Sequence, residues 1–136
     1  MFIPVHVLVP SIVILLYLTT PLTHLLVYAK MVRGWILDQY KVNIVTAGAQ
    51  AIKFLGKNKV DLVLLDYEMP ETDGPMVLEM IRSNPELSDV PVVFLTGTNS
   101  RESIERLISL KPLGYILKST TREELLKTLS DFFSKI

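Results

Sequence analysis

Val60-Asp61-Leu62-Val63-Leu64-Leu65-Asp66-Tyr67-Glu68-Met69-Pro70, followed by Glu71-Thr72-Asp73-Gly74, is an apolar run that ends in a carboxylate and passes at once into turn residues. A branched apolar run of this length, bounded by turn signals, reads as a strand buried on both faces, as in a parallel sheet. Asp66 then sits at the carboxyl end of that strand, where open α/β sheets place their chemistry. The competing reading makes Asp66 a helix cap. Asp73 before Gly74 is the better cap, and Pro70 turns the segment after Asp66 into a loop.

Outward from this strand the alternation is regular. Val42–Thr46 reads as a strand, and Gly48–Asn58 as a short helix with Ala51, Ile52 and Leu55 inward. Gly74–Ser83 is a helix with Pro75 at its start, and Val90–Leu95 a strand ending in Thr96-Gly97-Thr98. Ser100–Leu110 is a helix with Asn99 and Glu102 at capping-box spacing. Gly114–Leu117 is a short strand ending in Lys118, and Thr121–Ile136 a last helix capped by Thr121 and Glu124. Upstream, Ser11–Leu18 is a buried-strand candidate. Leu22–Tyr40 can run as a helix with Leu25, Leu26, Ala29, Val32, Trp35 and Ile36 on one apolar face. Strand and helix alternating to the end predict an α/β fold, a parallel sheet wrapped by helices on both faces.

The 136 residues fit one domain with one core. Residues 1–10 form an extra apolar segment and 11–40 the first strand and helix. Zero net charge and the lack of a basic stripe exclude a nucleic-acid surface. The absence of cysteine excludes a disulfide framework and thiol chemistry. His6 and His24 have no ligand-spaced neighbours, so a zinc site is not expected.

Composition breaks in one place. No Lys, Arg, Asp or Glu occurs from Met1 to Ala29, and the first acidic residue is Asp38. Ser11–Ala29 is long enough to cross a bilayer, and Lys30 and Arg33 follow it as the positive-inside rule prefers. Val27-Tyr28-Ala29 has the small-residue look of a signal-peptidase site, although no basic region precedes it. Against both stand Thr19, Thr20, Pro21, Thr23 and His24, polar or helix-breaking residues at mid-segment, and the loss of a strand the sheet needs. A misread start or altered frame upstream of Lys30 would also produce the break.

Asp66, Thr96 and Lys118 close three successive strands, whose ends share one edge of a parallel sheet. A carboxylate, a hydroxyl and an ammonium suit phosphoryl transfer to the carboxylate. Asp66 would be the nucleophile, Lys118 would offset charge on the phosphoryl oxygens, and Thr96 would donate to one of them. Singly, Lys118 reads as a solvated strand-end lysine and Thr96 as a turn hydroxyl. Their joint placement favours the functional reading.

Leu64-Leu65-Asp66-Tyr67-Glu68-Met69-Pro70, Asp73-Gly74, Leu95-Thr96-Gly97 and Gly114-Tyr115-Ile116-Leu117-Lys118 resemble the receiver domains of two-component response regulators, the CheY-like family. The resemblance runs from about Asp38 to Ile136. It implies a five-stranded doubly wound sheet of order 2-1-3-4-5, the order the flavodoxin-like and CheY-like proteins share. It implies that Asp66 takes a phosphoryl group from a sensor histidine kinase or phosphotransfer protein and loses it by hydrolysis, a self-catalysed cycle rather than an enzyme acting on others. It further implies a switch of Thr96 and Tyr115 that remodels the surface of the fourth helix, fifth strand and fifth helix. Arg101, Arg106, Tyr115 and Lys127 would present that surface to a downstream protein. Tyr115 alone reads more simply as half-buried packing. A cytoplasmic setting goes with this family.

The same resemblance implies Mg²⁺, held by the phosphoacceptor and two adjacent acidic residues after the first strand. Here that slot holds Thr19-Thr20 if Ser11–Leu18 is the strand, the preferred register, or Pro10-Ser11 if the strand is Val5–Val9. The metal keeps Asp66 and the backbone carbonyl of Glu68, so its binding is weakened or lost. Ser119 replaces the usual proline after the lysine. A receiver that still accepts phosphate competes with a degenerate one that binds protein independently of phosphorylation. A haloacid-dehalogenase-like phosphohydrolase fits less well, because Asp66-Tyr67-Glu68 lacks its Asp-x-Asp. With no residues beyond the last helix, the expected output is a protein contact, the alternative being that this is one excised domain of a larger regulator.

Overall fold

The computed structural model describes residues 10–15, 23–46, 48–67, 74–97 and 100–136. Its elements alternate as β1 (Ser11–Leu15), α1 (Thr23–Ile36), β2 (Lys41–Val45), α2 (Gly48–Lys57), β3 (Leu62–Asp66), α3 (Gly74–Ser83), β4 (Val92–Thr96), α4 (Arg101–Ser109), β5 (Gly114–Leu117) and α5 (Arg122–Lys135). The strands form one parallel sheet of order β2-β1-β3-β4-β5. This is the predicted doubly wound fold.

β3 and β4 are buried at every residue, which is why they read as unbroken apolar runs rather than alternating ones. The strands β1 to β4 each feed two cores. Ile12, Ile14, Leu62, Leu64, Val93, Leu95 and Ile116 pack under α1 and α5. Val13, Val63, Leu65, Val92 and Phe94 pack under α2, α3 and α4. The helix faces follow the predicted spacing: Ala29, Val32 and Ile36 on α1, and Ala51 and Leu55 on α2, are buried. The side chains of Leu25 and Leu26 lie outside the described ones.

The apolar N-terminal stretch is where the structure chooses between readings. Ser11–Leu15 pairs with β2 on one side and β3 on the other, so it fills the middle of the sheet. The Ser11 amide donates to Asp61 Oδ2 at 2.8 Å, and the Asp61 amide donates to the Ser11 carbonyl at 2.8 Å, which sets the register between β1 and β3. A helix running unbroken from Ser11 to Ala29 does not form. Among the described residues no helix is long and apolar enough to cross a membrane. Thr19-Thr20 and Val5–Val9 lie outside the described residues.

Three local expectations are corrected. α1 stops at Ile36 rather than Tyr40, because the Gln39 and Tyr40 amides both return to the Ile36 carbonyl, at 3.0 Å, and turn the chain into β2. The cap of α4 is Ser100, whose hydroxyl accepts from the Ser103 amide at 3.3 Å; Asn99, the cap the spacing suggests, lies outside the described residues. Tyr115 is exposed rather than half-buried. The capping box of α5 forms as predicted, with Thr121 accepting from the Glu124 amide at 3.2 Å and Glu124 accepting in return from the Thr121 amide.

Candidate functional site

The ladder places the three strand-end residues. Asp66 on β3 pairs with Leu95, the residue before Thr96 on β4. Thr96 in turn pairs with Leu117, the residue before Lys118. Asp66, Thr96 and Lys118 therefore step across the carboxyl edge of the sheet on adjacent strands. Backbone bonds continue the ladder beyond each strand end. The Tyr67 amide donates to the Leu95 carbonyl at 2.9 Å, and the Lys118 amide to the Thr96 carbonyl at 2.8 Å. Tyr67 adds an edge-on contact with Phe94, ring centres 5.3 Å apart.

At this edge the Lys118 ammonium lies 2.8 Å from Asp66 Oδ1. The carboxylate is fully buried, whereas the lysine side chain remains 19% exposed. A buried carboxylate is strongly desolvated, and an ammonium in hydrogen-bonding contact is the compensation it requires. The β-strand alternation puts Asp66 on the side of Leu62 and Leu64, under α1 and α5. The same alternation groups Thr96 with Val92 and Phe94, on the side of α2, α3 and α4. Thr96 is itself fully buried. The structure thus brings Asp66 and Lys118 into contact and sets Thr96 at the end of the strand between them.

The remaining predicted residues form a separate surface. Arg101 and Arg106 lie on the exposed side of α4, paired along the helix with Glu105 at 2.9 Å and Glu102 at 3.4 Å. Tyr115 borders a cleft of about 400 Å³ with Ser119, Thr120, Glu124 and Thr128. Lys127 is exposed on α5.

Tyr28 was not singled out by the sequence. Its phenol is pushed up to about 12, first by burial and then by the negative charge of Asp66, which places the ring within the field of the site. Its hydroxyl is buried and has no hydrogen-bond partner among the described residues. The signal was available: Tyr28 falls three residues after Leu25 and four before Val32, so a hydroxyl-bearing ring lies on the apolar face.

The residues present do not fit the Mg²⁺ set that the resemblance implies. The chain has no acidic residue before Asp38, whichever register the first strand adopts. Among the described residues no group of three or more His, Cys, Asp or Glu could hold a metal ion. Of that set Asp66 is present, with Oδ1 engaged by Lys118; Glu68 lies outside the described residues.

A family model described as the response regulator receiver domain matches residues 25–130. That match leaves β1 outside it, although β1 is an interior strand of the sheet. A probable cyclic di-GMP phosphodiesterase of Vibrio cholerae is 35% identical over 83 residues, 61% of this chain and 19% of that protein. A probable transcriptional regulator, ycf29 of Porphyra purpurea, is 30% identical over 106 residues, 77% of this chain and 51% of that one. The chain thus spans about a fifth and about half of the length of these two relatives. The chemotaxis protein CheY-3 of Vibrio cholerae is 33% identical over 89 residues, 65% of this chain and 68% of its own. Among solved structures, the chemotaxis response regulator CheY4 of Vibrio cholerae superposes with a TM-score of 0.76 at 22% identity, covering 90% of this chain and 98% of that one, a likeness of fold. With its sheet order, its strand-end residues and this match over most of its length, the chain belongs to the response regulator receiver domains.

Proposed function

We propose that the chain is a phosphorelay receiver in which Asp66 accepts a phosphoryl group from a histidine kinase or phosphotransfer protein in the cytoplasm. One observation carries this reading: a fully buried carboxylate at a strand end held 2.8 Å from a lysine ammonium. Asp66 Oδ attacks phosphorus, the bond to the donor's leaving group breaks, and that group departs with the bonding electrons. Lys118 then offsets charge on the phosphoryl oxygens, and the Thr96 hydroxyl donates to one of them after its side chain turns. The output surface comprises α4, β5 and α5, with Arg101, Arg106, Tyr115 and Lys127 facing a downstream protein. Domain limits of 1–136 accompany this reading.

A second reading is favoured by the composition of the first strand region. Without the acidic pair, the domain would bind its partner in one fixed state, independent of phosphorylation. Incubation with acetyl phosphate or phosphoramidate, with and without Mg²⁺, followed by intact mass, separates the two. The receiver reading expects one phosphate adduct that Asp66→Asn abolishes, with little gain from Mg²⁺. No adduct under any condition leaves the fixed binding module.

A further inference from the structure

α1 begins on the side of the sheet where β1 ends, the same edge that carries Asp66. Side chains of a helix lean toward its N-terminus. Tyr28, in the second turn of α1, therefore reaches toward the carboxyl edge. It packs against the core cluster of Ile12, Ile14, Leu62 and Leu64. This is the face on which alternation along β3 sets Asp66.

The hydroxyl at the tip of this ring is buried and makes no hydrogen bond among the described residues. A buried hydroxyl without a partner is costly, and phenylalanine would fill the same space without that penalty. The charge of Asp66 acts on the phenol and, with burial, holds it protonated to about pH 12. The group is thus a buried donor that makes no hydrogen bond among the described residues and lies within the field of an anion. A phosphoryl group on Asp66 would carry charged oxygens outward from the carboxylate, on the sheet face that Tyr28 packs against.

We propose that the Tyr28 hydroxyl donates a hydrogen bond to a phosphoryl oxygen on Asp66, supplying charge stabilisation in a chain that has no acidic pair after its first strand. The inference rests on Asp66 being the phosphoacceptor. In the step with acetyl phosphate, an Asp66 oxygen bonds to phosphorus and acetate leaves with the electron pair of the broken P–O bond. Tyr28 keeps its proton throughout. Because charge builds on the equatorial oxygens as the phosphoryl group transfers, a donor aimed there accelerates the step.

The test compares the full chain with Tyr28→Phe and, as a control outside the site, Tyr40→Phe, each incubated with acetyl phosphate and followed by intact mass. Tyr28→Phe should slow adduct formation about tenfold, the effect of one hydrogen bond to a charged acceptor. Its urea midpoint should not fall, since no existing hydrogen bond is removed, and Tyr40→Phe should keep the wild-type rate. A Tyr28→Phe rate within about twofold of wild type overturns the inference and leaves Asp66 as acceptor, because a purely structural tyrosine would change stability and not rate. Absence of an adduct on wild type overturns the acceptor reading, and this inference with it.

Discussion

Tyr40 shows how one side chain reports on its surroundings. It closes the turn after α1, is buried, and stacks on Phe133 of α5 with ring centres 5.3 Å apart. Burial raises its phenol above the ordinary value of 10.0. The unfolded tyrosine loses its proton near that value and the folded one at a higher pH, so between the two the folded state holds more protons. Stability from this group is complete below about pH 10 and falls as pH rises through the folded value. Urea midpoints of wild type and Tyr40→Phe should keep a constant difference up to about pH 9.5 and diverge in favour of phenylalanine above pH 10. A constant difference to higher pH would show that the phenol is not buried as described.

At the scale of elements, the contact between β5 and α5 holds Lys118 in place. Gly114 opens β5, and a Cβ there would lie 2.5 Å from both Cε1 and Cζ of Phe132. Phe132 is buried under the sheet and has little room to withdraw. Gly114→Ala should therefore destabilise by about 1–3 kcal/mol, the usual penalty for overpacking a filled core. The check is a lower urea midpoint at unchanged m-value, with a smaller loss when the same change is made in a Phe132→Leu background. Equal losses in both backgrounds would mean that the ring is not what the new methyl meets. A further tie acts at the far edge of the sheet. Arg82 Nη1 on α3 donates to the carbonyls of Ser88 at 3.2 Å and Val90 at 2.6 Å, and so fixes the loop that enters β4.

For the whole molecule, the order β2-β1-β3-β4-β5 makes β1, β3 and β4 interior strands with neighbours on both sides. Exposing their amides requires opening the sheet between two cores, so their exchange should track global unfolding. β2 and β5, with one neighbour each, should open at lower cost. In native-state hydrogen exchange the amides of Ile14, Leu64 and Val93 should be among the last to exchange. Rapid exchange at Ile14 would mean that the apolar N-terminal stretch is not integral to the sheet.

Most of this architecture is written in local pattern. Unbroken apolar runs at Leu62–Asp66 and Val92–Thr96 demand burial on both faces, and the helices between them carry spaced apolar faces and caps, so a doubly wound sheet follows from periodicity. The carboxyl-edge position of Asp66, Thr96 and Lys118 follows as well, because parallel strands end on one side. The N-terminal stretch was open for a physical reason: hydropathy counts carbon and cannot tell a strand between two cores from a helix in lipid. Only pairing with β2 and β3 made Ser11–Leu15 a strand. Only packing of α1 on the sheet brought the Tyr28 hydroxyl into the field of a carboxylate thirty-eight positions away (28 to 66), since proximity across elements depends on helix direction and strand face together.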